Sequence, residues 1–190
     1  MNAQTDQTTI QAILAGDVQA YTLLVNTYKD GAVMLAYNIL LNQQDAEEAA
    51  QDAFVRVYTS LHTFKAASRF STWLYRVVLN TALNKKKIKK RVSAQLSSVP
   101  PGELPNDFNN ALTTQVTAEQ RKHIKQAMNA LNERERLCIT LYYLNELSVE
   151  EIHELTAISR SNIKVLLHRG RKKLYGSFHI YLKEEITSLI

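Results

Sequence analysis

Apolar residues return at steps of three and four along most of this chain. Val18, Tyr21, Val25 and Tyr28 recur in that way, which is the spacing of one helix face. The "GD" before them suits a break, with Asp17 as N-cap. A second helix is predicted near residues 32–41. A third begins at about Asp45 and buries Ala50, Phe54, Val57 and Leu61. A fourth lies in "RFSTWLYRVVLNTALNKKKIKKR" (69–91), where Leu74, Val77, Val78 and Thr81 share a face.

Further along, "NERE" at 132–135 pairs Asn132 with Glu135, and "SVEE" at 148–151 pairs Ser148 with Glu151. Both are capping-box patterns that open helices. Between them Leu137, Leu141 and Leu144 form an apolar stripe. A short helix then carries Ile152 and Leu155, "TAIS" interrupts, and a longer helix places Ile163, Leu167, Gly170 and Leu174 on one face. No segment alternates with period two between turn signals, so no strands are predicted. Pro100, Pro101 and Pro105 are the only prolines, and residues 93–118 around them contain no Lys or Arg. That composition reads as an extended linker. The predicted fold is all-α: two small helical domains, residues 1–92 and 119–190, joined by a flexible linker at 93–118.

Charge adds a partner class to this picture. The chain has 190 residues and a net charge of +5. The first domain carries +4 (11 basic, 7 acidic), the linker −2, and the second domain +3 (12 basic, 9 acidic). Two basic modules suggest a polyanionic partner. Cys138 stands alone, which excludes an intrachain disulfide and a cysteine metal cluster. The five histidines show no metal-ligand spacing, and no P-loop, nucleophile elbow or HExxH pattern occurs. No cofactor and no catalytic residue is predicted. No apolar run reaches the ~18 residues of a membrane span. The N-terminus has no basic region leading into an apolar one. A cytoplasmic protein, monomeric when free, is expected.

Residues 148–174, "SVEEIHELTAISRSNIKVLLHRGRKKL", read as a helix-turn-helix. Ile152, Leu155, Ile158 and Ile163 sit where its helices would pack, and Ser159 can cap the second. Arg160, Ser161, Asn162 and Lys164 then face outward at the end that meets base edges in a major groove. His168, Arg169, Arg171, Lys172 and Lys173 extend a surface suited to phosphates. A solvated hairpin with solubilising charges is the plainer alternative. The coincidence of cap, turn, apolar pairing and outward cations favours DNA.

In the first domain Asp45, Glu48 and Asp52 share a helix face, flanked by Glu47 and Gln51. The helix dipole accounts for the earlier acids. It does not require Gln51 and Asp52, so a positively charged protein partner is the competing explanation. On the fourth helix, Arg76, Asn80, Asn84, Lys87 and Arg91 form a stripe that grades from amides into cations. Such a stripe suits a nucleic-acid strand, with amides over bases and the cations from Lys85 to Arg91 over phosphates. Phe64 and Phe70 bracket the preceding loop and are expected to be exposed for base stacking. Trp73 is expected in the core.

At this point the chain resembles a bacterial RNA polymerase sigma factor of the extracytoplasmic-function (group 4) type. "DAEEAAQDAFVRVY", "FSTWLYRVVLNTALN" and "LNERERLCITLYYLNELSVEEIHELTAISRSNIKVLLHRGRKKL" stand in the order of that family's regions 2.2, 2.3–2.4 and 4. The resemblance implies a transcription initiation factor, not an enzyme, that binds core polymerase, directs it to promoters and assists melting. It assigns the β′ clamp helices to Asp45, Glu47, Glu48, Gln51, Asp52 and Phe54. It assigns the minus-ten element to Phe64, Phe70, Arg76, Asn80, Asn84, Lys87 and Arg91, with a flipped base held by the loop 64–71 and the helix bearing Asn80 and Asn84. The minus-thirty-five element falls to Arg160, Ser161, Asn162, Lys164, His168, Arg169 and Arg171. Docking of region 4 on the β flap, a linker threading toward the active-site channel, and an anti-sigma partner are also implied. Ala157 stands where the turn glycine is usual, His153 where Ala is usual, and Leu166 where a basic residue is frequent. Gly170 replaces a common Ala, which would soften the recognition helix by roughly 1 kcal/mol. The rivals are another helix-turn-helix regulator, which would need a ligand or receiver domain in residues 1–92, and an all-helical enzyme.

Overall fold

The computed structural model describes residues 3–95 and 118–188, which fall into two compact units of four main helices each. Among the described residues there is no strand.

The first unit opens with α1 (Ala3–Leu14), a helix absent from the sequence-based expectation. Gly16 takes φ +100, a left-handed conformation that suits glycine. Asp17 then caps α2 (Val18–Leu40), accepting the Gln19 and Ala20 N–H groups at 2.9 and 3.1 Å. The two helices predicted within residues 18–41 are one. Gly31 lies inside α2 at a cost of ~1 kcal/mol. The fully buried Ala32, Leu35 and Ala36 that follow offset it. The predicted stripe of α2 is also displaced: Val18 is exposed, Tyr21, Val25 and Tyr28 are half-buried, and Ala20 and Leu24 fill the core. The Tyr28 hydroxyl donates to the buried Asp6 carboxylate at 2.6 Å, fastening α1 to α2.

Asn42 caps α3 (Gln43–Ser60) by accepting the Asp45 N–H at 2.9 Å. Ala50, Phe54, Val57 and, in the 3-10 turn that follows, Leu61 are buried as expected. Helix α4 (Phe70–Gln95) closes this core with Leu74, Val78 and Thr81. It continues beyond residue 92, where the linker was expected to start. Residues 96–117 of that predicted linker lie outside the described residues.

In the second unit, α5 (Ala118–Asn129) leads to α6 (Glu133–Ile139), opened by the expected Asn132–Glu135 capping box. Thr140–Leu144 then form a π turn, with the Asn145 N–H donating to the Thr140 carbonyl at 3.0 Å. This register shift breaks the predicted stripe. Leu141 is buried, Leu137 half-buried, and Leu144 is turned out beside Tyr142 and Tyr143. Ser148 and Glu151 form the second capping box, on α7 (Val149–Thr156). Helix α8 (Arg160–Ser188) is continuous through the segment after Leu174. Cys138 is buried, and desolvation pushes its thiol up to about 11, which keeps it protonated and inert.

Candidate functional site

Helices α7 and α8 form the expected helix-turn-helix. Ile152 and Ile163 are buried between them. Ala157 ends α7 at φ 58, an uncommon conformation for a residue with a Cβ. The His153 ring helps hold that turn, its Nδ1–H donating to the Ile158 carbonyl at 2.8 Å. The acceptor is a carbonyl, so Nδ1 carries the proton. The Ser159 hydroxyl accepts the Asn162 N–H at 3.4 Å, a weak cap.

Arg160, Ser161, Asn162, Lys164, His168, Arg169 and Arg171 are all exposed on α8. Three of them have neighbours the sequence did not announce. Arg160 is ion-paired with Glu150 across the turn. That bond and charge lower the Glu150 carboxyl pKa and raise that of Arg160. Arg171 donates to the Tyr143 hydroxyl at 3.4 Å. The charge of Arg169 reaches the buried Glu135. Leu166 is buried, so its position is a packing site and not a lost phosphate contact.

Gly170 is also a packing site. A Cβ built there would lie 2.8 Å from Ile139 Cγ1 and 3.1 Å from its Cδ1. Glycine is therefore what lets α8 approach α6 closely, and it is not merely a softening of the helix. Gly170→Ala is expected to destabilise the second unit by about 1 kcal/mol: overpacking costs ~1–3 kcal/mol, and helix propensity returns up to ~1. Urea unfolding followed by amide exchange in residues 133–139 measures it, and a stabilised variant would refute the close-packing account.

In the first unit, Arg76, Asn80, Asn84, Lys87 and Arg91 are exposed along α4, as the stripe predicted. The cations are not one uniform block. Lys89 is paired with Asp45, and Lys85 lies 3.7 Å from Asp45 and 2.6 Å from Glu48. Two of the predicted phosphate ligands are thus engaged with α3. The acidic stripe divides correspondingly. Asp45 is buried at 9% exposure and Phe54 at 7%, so neither is a surface contact for a protein partner. Phe54 packs in the core and its carbonyl accepts the Tyr21 hydroxyl at 2.5 Å. Glu47, Gln51 and Asp52 are exposed, and Val55 stands out beside them. Glu47 accepts from Gln43 at 2.6 Å.

The loop before α4 departs from expectation in one respect. Phe70 is only 3% exposed and cannot stack on a base. It forms an aromatic cluster with Phe64 (centroids 5.6 Å apart), Trp73 (5.9 Å) and Tyr28 (5.6 Å). Phe64 is half-buried. Between α1 and this loop lies a cleft of about 260 Å³, lined by Asp6, Gln7, Ile10, Phe64 and residues 66–70. Asn80 and Asn84 do not line it. Sequence reasoning missed the α1 wall because that helix was not predicted. Among the described residues no helix is long and apolar enough to cross a membrane, and no His, Cys, Asp and Glu cluster could hold a metal ion.

Comparisons with known proteins follow the same division. The family model described as Sigma-70 region 2 matches residues 24–92, and Sigma-70, region 4 matches residues 121–174. The ECF RNA polymerase sigma factor SigW of Bacillus subtilis (strain 168) is 34% identical over 178 residues, covering 87% of this chain and 92% of that protein. The ECF RNA polymerase sigma-E factor of Escherichia coli (strain K12) is 28% identical over 177 residues, 90% of this chain and 92% of that protein. Two solved structures are similar in fold. CnrH, in complex with the cytosolic domain of CnrY, has a TM-score of 0.64 and 19% identity, over 93% of this chain and 98% of that chain. The sigma factor RpoE in complex with the anti-sigma factor NepR from Bartonella quintana has a TM-score of 0.68 and 17% identity, over 86% and 99%.

Proposed function

The chain belongs to the sigma-70 family of RNA polymerase sigma factors, in its extracytoplasmic-function group, and from that premise we propose how its surfaces divide the work. The factor directs RNA polymerase to promoters. It is not an enzyme; the polymerase does the chemistry. The observation that carries this reading is the presence of regions 2 and 4, in that order, across most of one chain. A receiver-linked or ligand-linked regulator would not carry region 2, and its strand–helix alternation is absent among the described residues.

The outer face of α3, with Glu47, Gln51, Asp52 and Val55, is the proposed contact for the polymerase β′ clamp helices. Its support is an exposed acidic and apolar face on an otherwise basic protein. The exposed stripe of α4 is the proposed minus-ten surface. Asn80 and Asn84 read bases, while Arg76, Lys87 and Arg91 meet phosphates. The cleft between α1 and the 64–69 loop is the proposed seat of an unstacked base, with the half-buried Phe64 as its aromatic wall. The first turns of α8 are the proposed minus-thirty-five surface. The exposed Tyr142, Tyr143 and Leu144 at the π turn supply an apolar patch suited to the β flap. An anti-sigma partner is proposed by analogy with the sigma factor RpoE from Bartonella quintana, which is bound to the anti-sigma factor NepR.

In vitro transcription with purified core polymerase and a genomic template library tests the whole reading. Transcripts that require this chain are expected to share two spaced promoter elements; none would refute it. Within that assay, Lys164→Ala should lower promoter affinity by ~1–3 kcal/mol, through the upstream element alone. Scrambling that element should abolish the difference between variant and wild type. An equal loss on both templates would exclude base reading by α8.

A further inference from the structure

Asp45 sits in the first turn of α3, where Asn42 already caps its backbone N–H. Its side chain is not spent on that cap. One carboxylate oxygen is paired with Lys89 and the other lies 3.7 Å from Lys85. The Lys85 ammonium is held again by Glu48 at 2.6 Å. These two lysines are one turn apart on the basic end of α4. Two anionic oxygens facing two ammonium groups is the arrangement a DNA phosphate offers. Lys87, Lys90 and Arg91 are exposed on the same end, and no carboxylate pairs with them among the described residues.

We propose that Asp45, supported by Glu48, is a specificity-determining residue: it takes the place of DNA phosphate on Lys85 and Lys89 and so restrains the sequence-independent attraction of α4 for duplex. The inference rests on the reading of α4 as the minus-ten helix. Sequence-independent binding grows with the number of cations that displace counterions. Discrimination is the ratio of specific to non-specific affinity. Removing two lysines from reach of the backbone lowers the non-specific side of that ratio. The choice of sequence is then left to Asn80 and Asn84. The buried Asp45 thus serves promoter selection and not polymerase attachment.

The test uses holoenzyme assembled from the full chain and purified core, with a promoter duplex and a random duplex titrated across several salt concentrations. Asp45→Asn keeps the side-chain volume and removes the charge. It is expected to tighten random-duplex binding and to steepen its log K against log[salt] slope by about 0.9, for Lys89, because Glu48 still holds Lys85. The promoter-to-random ratio should fall and core affinity should stay at the wild-type value. Adding Lys85→Met and Lys89→Met to Asp45→Asn should restore the wild-type slope. The double variant Lys85→Met, Lys89→Met alone should leave the random-duplex slope unchanged, and it carries the test if Asp45→Asn does not fold. A slope flattened by about 0.9 per lysine in that variant would show both lysines on phosphate in the wild type and overturn the proposal. So would an Asp45→Asn slope equal to wild type, or a loss of core affinity. Wild-type holoenzyme that shows no promoter preference at all would instead overturn the assignment of α4 to the minus-ten element.

Discussion

Asp52→Arg is expected to abolish binding to core polymerase while leaving the fold intact. Asp52 is exposed on α3 and pairs with no cation among the described residues, so its charge is available to a partner. Substitution there reverses the charge at the middle of the proposed contact face. Truncating one member of a buried interfacial pair costs about 2–5 kcal/mol, and placing like charges together adds several more. The sum corresponds to a loss of more than about a thousandfold in affinity. The helix itself should tolerate the change. Arginine is a good helix former, and exposed substitutions away from packing features stay within about 0.5 kcal/mol. Titration of labelled chain with core enzyme reads the affinity, and urea unfolding followed by Trp73 fluorescence reads the fold. Unchanged core affinity would remove α3 from the polymerase interface. Loss of affinity together with loss of the folded baseline would show that Asp52 is structural.

What could be read from the sequence, and what could not, follows the range of each interaction. The capping boxes at Asn132–Glu135 and Ser148–Glu151 are contained within one turn, and both form as expected. The buried stripe of α3 is likewise a local periodicity and holds, and that of α4 holds at Leu74, Val78 and Thr81 while Val77 is half-buried. The stripe of α2 failed because its N-terminal half is buried on Leu24 and Ala20 rather than on Val18, a choice made by which neighbour covers it. Leu144 failed for a different reason: the π turn at Thr140–Leu144 resets the period that the prediction extended through it. The pairs Lys85 and Lys89 with Asp45, Arg160 with Glu150, and Tyr28 with Asp6 join separate helices. No spacing rule reaches them, which is why the acidic stripe looked like one surface when it is two. Gly170 belongs with these, since its meaning lies in the approach of Ile139. The functional reading survived the errors because α8 and the outer face of α4 present their polar residues by simple helical period.

Glu135→Ala is expected to destabilise the second unit by about 2–4 kcal/mol. Glu135 is 2% exposed and its carboxylate has two tasks. It accepts the Asn132 N–H at 3.0 Å, completing the capping box of α6, and it receives the Lys173 ammonium from α8 at 2.7 Å. Losing a cap costs ~1 kcal/mol. Breaking a buried pair costs ~3–5, discounted here because Lys173 is 44% exposed and can rehydrate. Glu135→Gln keeps the volume and an acceptor for Asn132 but not the ion pair, so it should cost only about 1 kcal/mol. Burial acts to raise the Glu135 pKa, but the Lys173 and Asn132 bonds and the charges of Lys173 and Arg169 outweigh it and hold the carboxyl below its ordinary value. A depressed folded pKa contributes stability that is fully present above the unfolded value and is lost as pH falls through the folded one. The gap between wild type and Glu135→Gln should therefore be constant near neutrality and narrow as pH drops below about 4.5. Amide exchange in residues 133–139 at pH 7 and in acid measures this, because Trp73, the only tryptophan, reports the other unit and serves as an internal control. A gap that stays constant into acid would mean that the Lys173 pair contributes nothing, and that Glu135 holds α6 through its cap alone.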